Sequence, residues 1–373
     1  MTKYFKLGAV SFSLDGDEQY VRRFSDEFRL IGVSAEKVDD SLDCVFSFVD
    51  KLPPSLGPYV RFSRFEVGAF WADIKDFPFI YRVQKEKKKF VVTIALNKNL
   101  SLGEKIIWIP ATHQLIHPSF KTKQEALVSI FIFRIWQWIV FLKLIEKGEA
   151  FIHASSVLVD EKAYVFGSWG GVGKTTILLK LTMENPNIQF LSDDMTLVDM
   201  RGNVFLNPTP LHIYPYNWKG FPALKNRVLS KRGLIDRTSW GIWSKLMGRG
   251  RICRRMYVEQ LVGNKIGRRG FVHKFFFLKR SNTQNLSISS LNNKDFIAQS
   301  LSLIQLSVMN TFSEIVYPIA AAEESLLGDI FNLKKKLFVV YKNFLKNAKT
   351  FEVTIPSNVT PEELSALIND EII

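Results

Sequence analysis

The stretch that most restricts the fold of this 373-residue chain is Ser168-Trp169-Gly170-Gly171-Val172-Gly173-Lys174-Thr175. The strand-like run Ala163-Tyr164-Val165-Phe166 precedes it, and a helix-compatible run follows from Lys174 to Met183. Glycines at these positions let successive backbone N–H groups turn toward a common point, and the helix behind adds its positive end. The pattern is that of a Walker A loop, which predicts phosphate binding between a strand and a helix. In that reading Ser168, Trp169, Gly170, Gly171, Val172, Gly173, Lys174, Thr175 and Thr176 contact the nucleotide. Lys174 reaches the β- and γ-phosphates, and the Thr175 hydroxyl holds Mg²⁺. Ser168 takes the position of the usual first glycine, with Gly167 one residue earlier.

The elements around the loop read as follows. Ala150 to Val159 forms a strand, Asp160-Glu161-Lys162 a turn, and Ile188-Gln189-Phe190-Leu191 the strand after the loop's helix, ending in Ser192-Asp193-Asp194. The two acids stand 19 and 20 residues beyond Lys174, which brings them back beside the phosphates through one short helix and one return strand. Adjacent carboxylates at such a place can divide two tasks, holding Mg²⁺ and accepting the proton of an attacking hydroxyl. Further along, Phe271 to Leu278 and Phe351 to Ile355 read as strands, and Thr360-Pro361-Glu362-Glu363 as a capping box that starts a terminal helix.

His153-Ala154-Ser155-Ser156-Val157-Leu158-Val159-Asp160, the glycine loop and Leu191-Ser192-Asp193-Asp194 together resemble the kinase domain of HPr kinase/phosphorylase, itself similar to the core of phosphoenolpyruvate carboxykinase. The resemblance implies an α/β (α+β) fold, a mixed β-sheet P-loop core with a smaller β-rich N-terminal domain. It implies ATP and Mg as cofactors, Asp193 or Asp194 as catalytic base, and His153 as a neighbour that tunes that base. Asp193, Asp194, His153 and Lys174 are therefore the candidate catalytic residues, and Thr175, Asp193 and Asp194 the candidate metal ligands. The family's glycine-rich signature with its magnesium-binding glutamate has no counterpart here. The nearest string, Lys231-Arg232-Gly233-Leu234-Ile235-Asp236, lacks a Glu, so phosphorylase activity and HPr as substrate do not carry over. The expectation is an ATP-dependent kinase acting on a hydroxyl, most simply a serine of a peptide or protein. A sugar or metabolite kinase of the same fold and a non-catalytic ATP-binding regulatory module are the alternatives.

Residues 1–123 read as the β-rich N-terminal domain, with strands such as Phe90 to Ala95 and Lys105 to Ile109. Residues 124–373 then form the kinase domain. Its first helix, Gln124 to Lys147, stops at Gly148 and reads as a buried core helix, because Arg134 and Gln137 interrupt the apolar run Val128 to Leu144. Two cysteines, Cys44 and Cys253, give no disulfide framework, and the opening residues give no signal peptide, so the expected location is cytoplasmic.

The formal net charge is +14, and residues 219–269 carry 14 basic and two acidic side chains, so nearly all of the excess is local. That segment, rich in glycine, reads as an irregular insertion. Arg254, Arg255, Arg268 and Arg269 are candidates to face the transferred phosphoryl group. The remaining cations would meet solvent, dock an acidic peptide or protein acceptor, or touch an anionic membrane, with Trp218, Trp240 and Trp243 interleaved. Nucleic acid is not the expected partner, since no helix-turn-helix, RNA-recognition or zinc motif accompanies the charge.

Overall fold

The computed structural model describes residues 1–34, 42–52, 59–60, 63–66, 69–72, 78–96, 122–219, 221–248, 250–283, 285–309 and 332–372. The expected strand Lys105 to Ile109 lies outside them. The fold is mixed α/β, with sheets that combine parallel and antiparallel pairs, and it divides into two units.

The first unit takes the described residues up to Lys147, with a short piece near 332–335. Its sheet contains β1 (Thr2–Leu7), β2 (Val10–Gly16), β3 (Gly32–Val33), β4 (Cys44–Val49), β5 (Tyr59–Val60), β6 (Ser63–Glu66), β7 (Ala69–Ala72), β8 (Phe79–Glu86) and β9 (Lys89–Leu96). They run in the order β3-β1-β2-β4-β9-β8-β7-β6-β5, with β4 parallel to both β2 and β9. The strands alternate: Phe12 and Leu14 on β2, and Phe46 and Phe48 on β4, turn inward at period two. Helix α1 (Glu18–Ser25) adds Phe24 to the same layer.

Against that layer lies α2 (Lys123–Glu146), apolar on nearly every side and therefore buried. Its middle turn, Ile132–Trp136, widens to a π-helix. Phe131 packs on Phe24, Phe46 and Phe48 with ring centroids 4.8, 5.7 and 5.5 Å away, and Trp136 on Phe28 at 4.8 Å. The helix is long and apolar enough to cross a membrane by length and composition, yet 83% of its apolar window is buried in the protein. This moves the expected boundary. The helix belongs with the N-terminal sheet, because its aromatic side chains complete that sheet's core, and the second unit starts at Gly148. Gly148, at φ 75°, supplies the left-handed residue that ends the helix.

The second unit is a sheet of β10 (Glu149–Ile152), β11 (Ala154–Val159), β12 (Lys162–Gly167), β13 (Gln189–Ser192), β14 (Thr196–Asp199), β15 (Asn203–Phe205), β18 (Arg269–Ser281), β19 (Ser287–Ser290) and β20 (Lys349–Pro356). Its central pairs are parallel, β12 with β18 and β18 with β20, and Phe166, Phe276 and Phe351 stack across them at 5.4 and 5.5 Å. The expected single strand from Ala150 to Val159 is two strands. The chain bends at His153 because β10 pairs with β14, whereas β11 pairs with β12 and β13. Among the described residues the helices beside this sheet include α3 (Lys174–Glu184) after the glycine loop, α7 (Lys294–Val308), α8 (Leu333–Phe344) and α9 (Pro361–Ile372). The expected capping box opens α9, with the Thr360 N–H donating to Glu363 at 2.8 Å and the Glu363 N–H to Thr360 Oγ1 at 3.2 Å.

The basic segment is not irregular. It folds into α4 (Pro222–Ser230), α5 (Leu234–Met247) and α6 (Val258–Val262), and its strand β17 (Arg254–Met256) pairs with β16 (Leu211–Ile213). Leu224, Val228, Trp240 and Leu261 are buried, so the segment packs as part of the second unit. At its centre Asp236 joins Arg232 at 2.8 Å and Arg254 at 2.9 Å, all three buried, with Arg254 over the Trp240 ring. Burial pushes the Asp236 carboxyl up, but hydrogen bonds and charge from the two arginines outweigh it and hold it below the usual range. That contribution to stability is present above the ordinary aspartate pKa and fades as pH falls through the lowered value. Asp236→Asn would leave two buried guanidinium groups without their counter-charge. The expected loss is about 3–5 kcal/mol of unfolding free energy in urea titrations at neutral pH. A change within error would show that the triad is solvated in solution.

Candidate active site

Three strand ends meet at one edge of the second unit's sheet. Antiparallel register sets Ala154 of β11 opposite Gly167 of β12, and Ser156 of β11 opposite Ser192 of β13. The bend at His153, the loop starting at Ser168 and the turn at Asp193-Asp194 are therefore neighbours. The Ser168 N–H donates to the His153 carbonyl at 3.4 Å, tying the loop's entrance to the bend. Gly167 is required by packing, since a Cβ there would lie 2.5 Å from the Phe275 ring. Ser168 is buried, and its hydroxyl donates to the Trp169 carbonyl at 2.8 Å.

The loop's own glycines do something else. Gly171 and Gly173 have φ of 76° and 111°, and Cβ atoms at Gly170 and Gly171 would meet nothing within 4 Å. The open side of the loop is thus bare backbone, as an anion cradle at a helix N-terminus requires. Lys174 is buried beneath it and donates to the carbonyls of Ser168 and Trp169 at 3.1 and 2.8 Å. Burial lowers the ammonium's pKa, and the charges of Asp194 and Asp193 oppose that shift. Trp169, at the loop's tip, is exposed, whereas Val172 is buried. The Thr176 hydroxyl is occupied by the Asn217 amide, which donates to it at 3.1 Å.

Asp193 is the buried member of the acid pair. Its carboxylate accepts from Ser155 Oγ and from Thr175 Oγ1, the latter at 2.9 and 3.1 Å. Desolvation and the Asp194 charge push its pKa up, against the donors Ser155 and Thr175 and the charge of Lys174. A hydroxyl chain backs it. Thr196 Oγ1 donates to the Ala154 carbonyl at 2.9 Å, so it accepts from Ser192, which in turn accepts from Ser156, each at 2.6 Å.

Asp194 faces outward, its side chain half exposed, with its Oδ1 3.1 Å from His153 Nδ1. Surrounding protein raises its pKa, but the hydrogen bond and charge of His153, then Lys174 and His212, prevail and hold it at about 2. Its φ of 64° puts it in the left-handed region at the apex of a turn closed by the Met195 N–H on the Asp193 carbonyl at 2.7 Å. Asn207 braces that turn, donating its amide to the Met195 carbonyl at 2.6 Å.

Not every candidate arginine reaches this edge. Arg254 is held in the buried triad, and Arg269 donates to Asn203 Oδ1 at 2.8 Å and lies over Phe205. Arg255 sits on β17 opposite His212 on β16. Burial lowers the His212 pKa to about 4, with Arg255 adding to the effect and Asp194 opposing it. His212 is therefore neutral near pH 7 and feels the charge of Asp194. Tyr214 and Tyr216, stacked at 5.2 Å, continue from the same strand, and burial with the Asp193 charge pushes Tyr216 up to about 12. Sequence reading assigned none of His212, Tyr214 and Tyr216. Ser155 lay inside the His-Ala-Ser string but carried no role.

Beside the loop opens a cavity of about 500 Å³, lined by Gly171, Gly173, Tyr216, Arg280 and the Ser357–Thr360 turn among others. The donor set near the loop fits a small hard cation together with phosphate oxygens: a threonine hydroxyl and a carboxylate lie within hydrogen-bond distance of each other. Among the described residues no cluster of three His, Cys, Asp or Glu could cage a metal. Mg²⁺ suits such a place, because it keeps water and phosphate ligands and needs few from protein.

If His153 sets the acidity of Asp194, His153→Ala will raise that carboxyl toward the ordinary aspartate value. Carboxyl NMR titration, assigned with Asp194→Asn, checks this; an unchanged midpoint would remove the tuning role.

No protein-family model matches the chain, and no curated protein matches it. Among solved structures it is similar to the HPr(Ser) kinase/phosphatase from Coxiella burnetii, at 9% identity and a TM-score of 0.27, over 60% of this chain and 95% of that one. The similarity is distant.

Proposed function

We propose that this chain is an ATP- and Mg-dependent kinase that transfers the γ-phosphate to a hydroxyl, most simply a serine of a peptide or protein. The observation that carries the reading is the contact between Thr175 Oγ1 and the buried Asp193 carboxylate, with the half-exposed Asp194 beside it. Loop, metal-type oxygens and an ionised outward carboxylate within one turn are the parts phosphoryl transfer needs, and the chemistry itself asks mainly for positioning and charge.

The roles divide by environment. The backbone N–H groups of Gly170 to Gly173 and the start of α3 receive phosphate oxygens, and Lys174 turns from its loop carbonyls to them. Thr175 and Asp193 would hold Mg²⁺, which when bound would supply charge neutralisation for the phosphates. Asp194, ionised at working pH and open to solvent, accepts the acceptor's proton, and His153 keeps it oriented. Arg255 and neutral His212 stand on the acceptor side. The cavity walled by Tyr216 and Arg280 has the size of a nucleoside site. A cytoplasmic location belongs to the same proposal.

Labelled ATP with a serine-peptide library tests it. Transfer is expected with Mg²⁺; Asp194→Asn should lower it about 10²–10⁴-fold, and Lys174→Met should abolish it. Thr175→Ala should raise the Mg²⁺ concentration needed for half-maximal transfer. ATP binding without transfer, indifferent to either aspartate, would instead mark a regulatory module.

A further inference from the structure

The basic segment holds a second cavity, about 430 Å³, that the catalytic reading does not use. Its walls come from the Pro215–Trp218 turn, α4 and α5. Trp218 and Trp240 meet edge to face there, with centroids 4.8 Å apart. Lys225, Arg237 and Lys245 line it, and no Asp or Glu does. Ser244 also lines it; this residue is more than nine-tenths buried, and its hydroxyl has no hydrogen-bond partner. Buried polar groups ordinarily find a partner, so this hydroxyl is an unspent hydrogen-bonding group in the wall behind the cavity.

The chemistry of the walls selects the occupant. An apolar floor of indole rings takes a large apolar side chain, and the three cations around it take carboxylates. Nucleic acid fits poorly, since Trp240 is almost wholly buried and offers no face for a base to stack on. The cavity itself is concave, which suits a peptide side chain; Leu234, Ile242 and Leu246 of α5 are exposed, so an anionic membrane is the alternative that the test separates. The site also sits where an acceptor would be useful. The Pro215–Trp218 turn puts Tyr216 against the cavity beside the glycine loop, and Pro215 and Trp218 against this one. Asn217 fixes the turn to α3 through Thr176. A segment held here lies one turn's width from the wall of the phosphate site.

We propose that this cavity is the docking site for an acidic segment of the peptide acceptor, seating one apolar or aromatic side chain against the half-buried Trp218 while flanking carboxylates meet Lys225, Arg237 and Lys245. The proposal rests on the kinase reading for the identity of the acceptor, and its test is read without ATP. The probe is a fluorescein-labelled hexapeptide of four glutamates around a leucine and a phenylalanine, titrated with the full chain and followed by anisotropy. Saturable binding is expected, weakened about tenfold or more in Lys225→Glu/Lys245→Glu and weakened further at high salt. Replacing the leucine and phenylalanine by alanine, or Trp218 by alanine, should also weaken it severalfold. Binding of a fluorescent ATP analogue should not change in the lysine double variant, which also shows that it folds. Absence of saturable peptide binding, equal binding by the double variant, or preference for phosphatidylglycerol vesicles or an oligonucleotide over the peptide would overturn the site. Docking without any phosphotransfer would count against the kinase reading alone; transfer to acidic serine peptides without docking would count against the site alone.

Discussion

A carboxylate taken out of water costs several kcal/mol unless donors replace the lost hydration. Asp193 is such a carboxylate, and the second unit is arranged around meeting its needs. Ser155 comes from β11, Thr175 from the first turn of α3, and Asp193 itself from the end of β13. Each belongs to a different element, so the three must converge for any one to be satisfied. That convergence fixes the height of the glycine loop above the sheet, because Thr175 stands in the first turn of α3, two residues after the loop's Gly173. The hydroxyl chain from Ser156 through Ser192 and Thr196 to the Ala154 carbonyl then locks the strands behind it. Buried polar networks of this kind specify one register, since a slip would strand every member.

The same arrangement separates two residues that are chemically identical. Asp193 is enclosed, and burial with its neighbour's charge pushes it toward the protonated form. Asp194 is turned outward by its left-handed backbone and paired with His153, so the negative charge rests there. The outward carboxylate is the one that presents negative charge to solvent. His153 can pair with it only because the chain bends between β10 and β11. A continuous strand would have kept its side chain in the ladder of one sheet neighbour.

That bend marks the limit of what the sequence discloses. The loop, its helix, the return strand and the acid pair are local patterns, and each element forms where its residues call for it. The run from Ala150 to Val159 is strand-like throughout, however, and its composition does not record where a strand changes partners. Likewise α2, apolar on nearly every side, declares that it is buried without declaring against what; only the phenylalanines of β2, β4 and α1 decide that. His212, Tyr214 and Tyr216 were illegible for a related reason. They reach the acids through the pairing of β16 with β17, and nothing local in the Leu211–Ile213 stretch announces a partner 45 residues away.

The charge of the basic segment divides by the same logic of burial. Arg232 and Arg254 are internal, neutralised by Asp236 and covered by Trp240, so they hold α5 to β17 and offer nothing to a partner. Arg255 lies opposite His212 in the pairing of β17 with β16. What remains for recognition is the exposed set on α4 and α5, and Lys225, Arg237 and Lys245 surround one cavity. A net charge of +14 therefore says less about partners than its distribution does. Charge that is buried and paired builds the scaffold, and charge left at the rim of an apolar cavity defines what can enter. The Pro215–Trp218 turn joins the two, because one face of it walls the phosphate side and the other walls the cationic cavity.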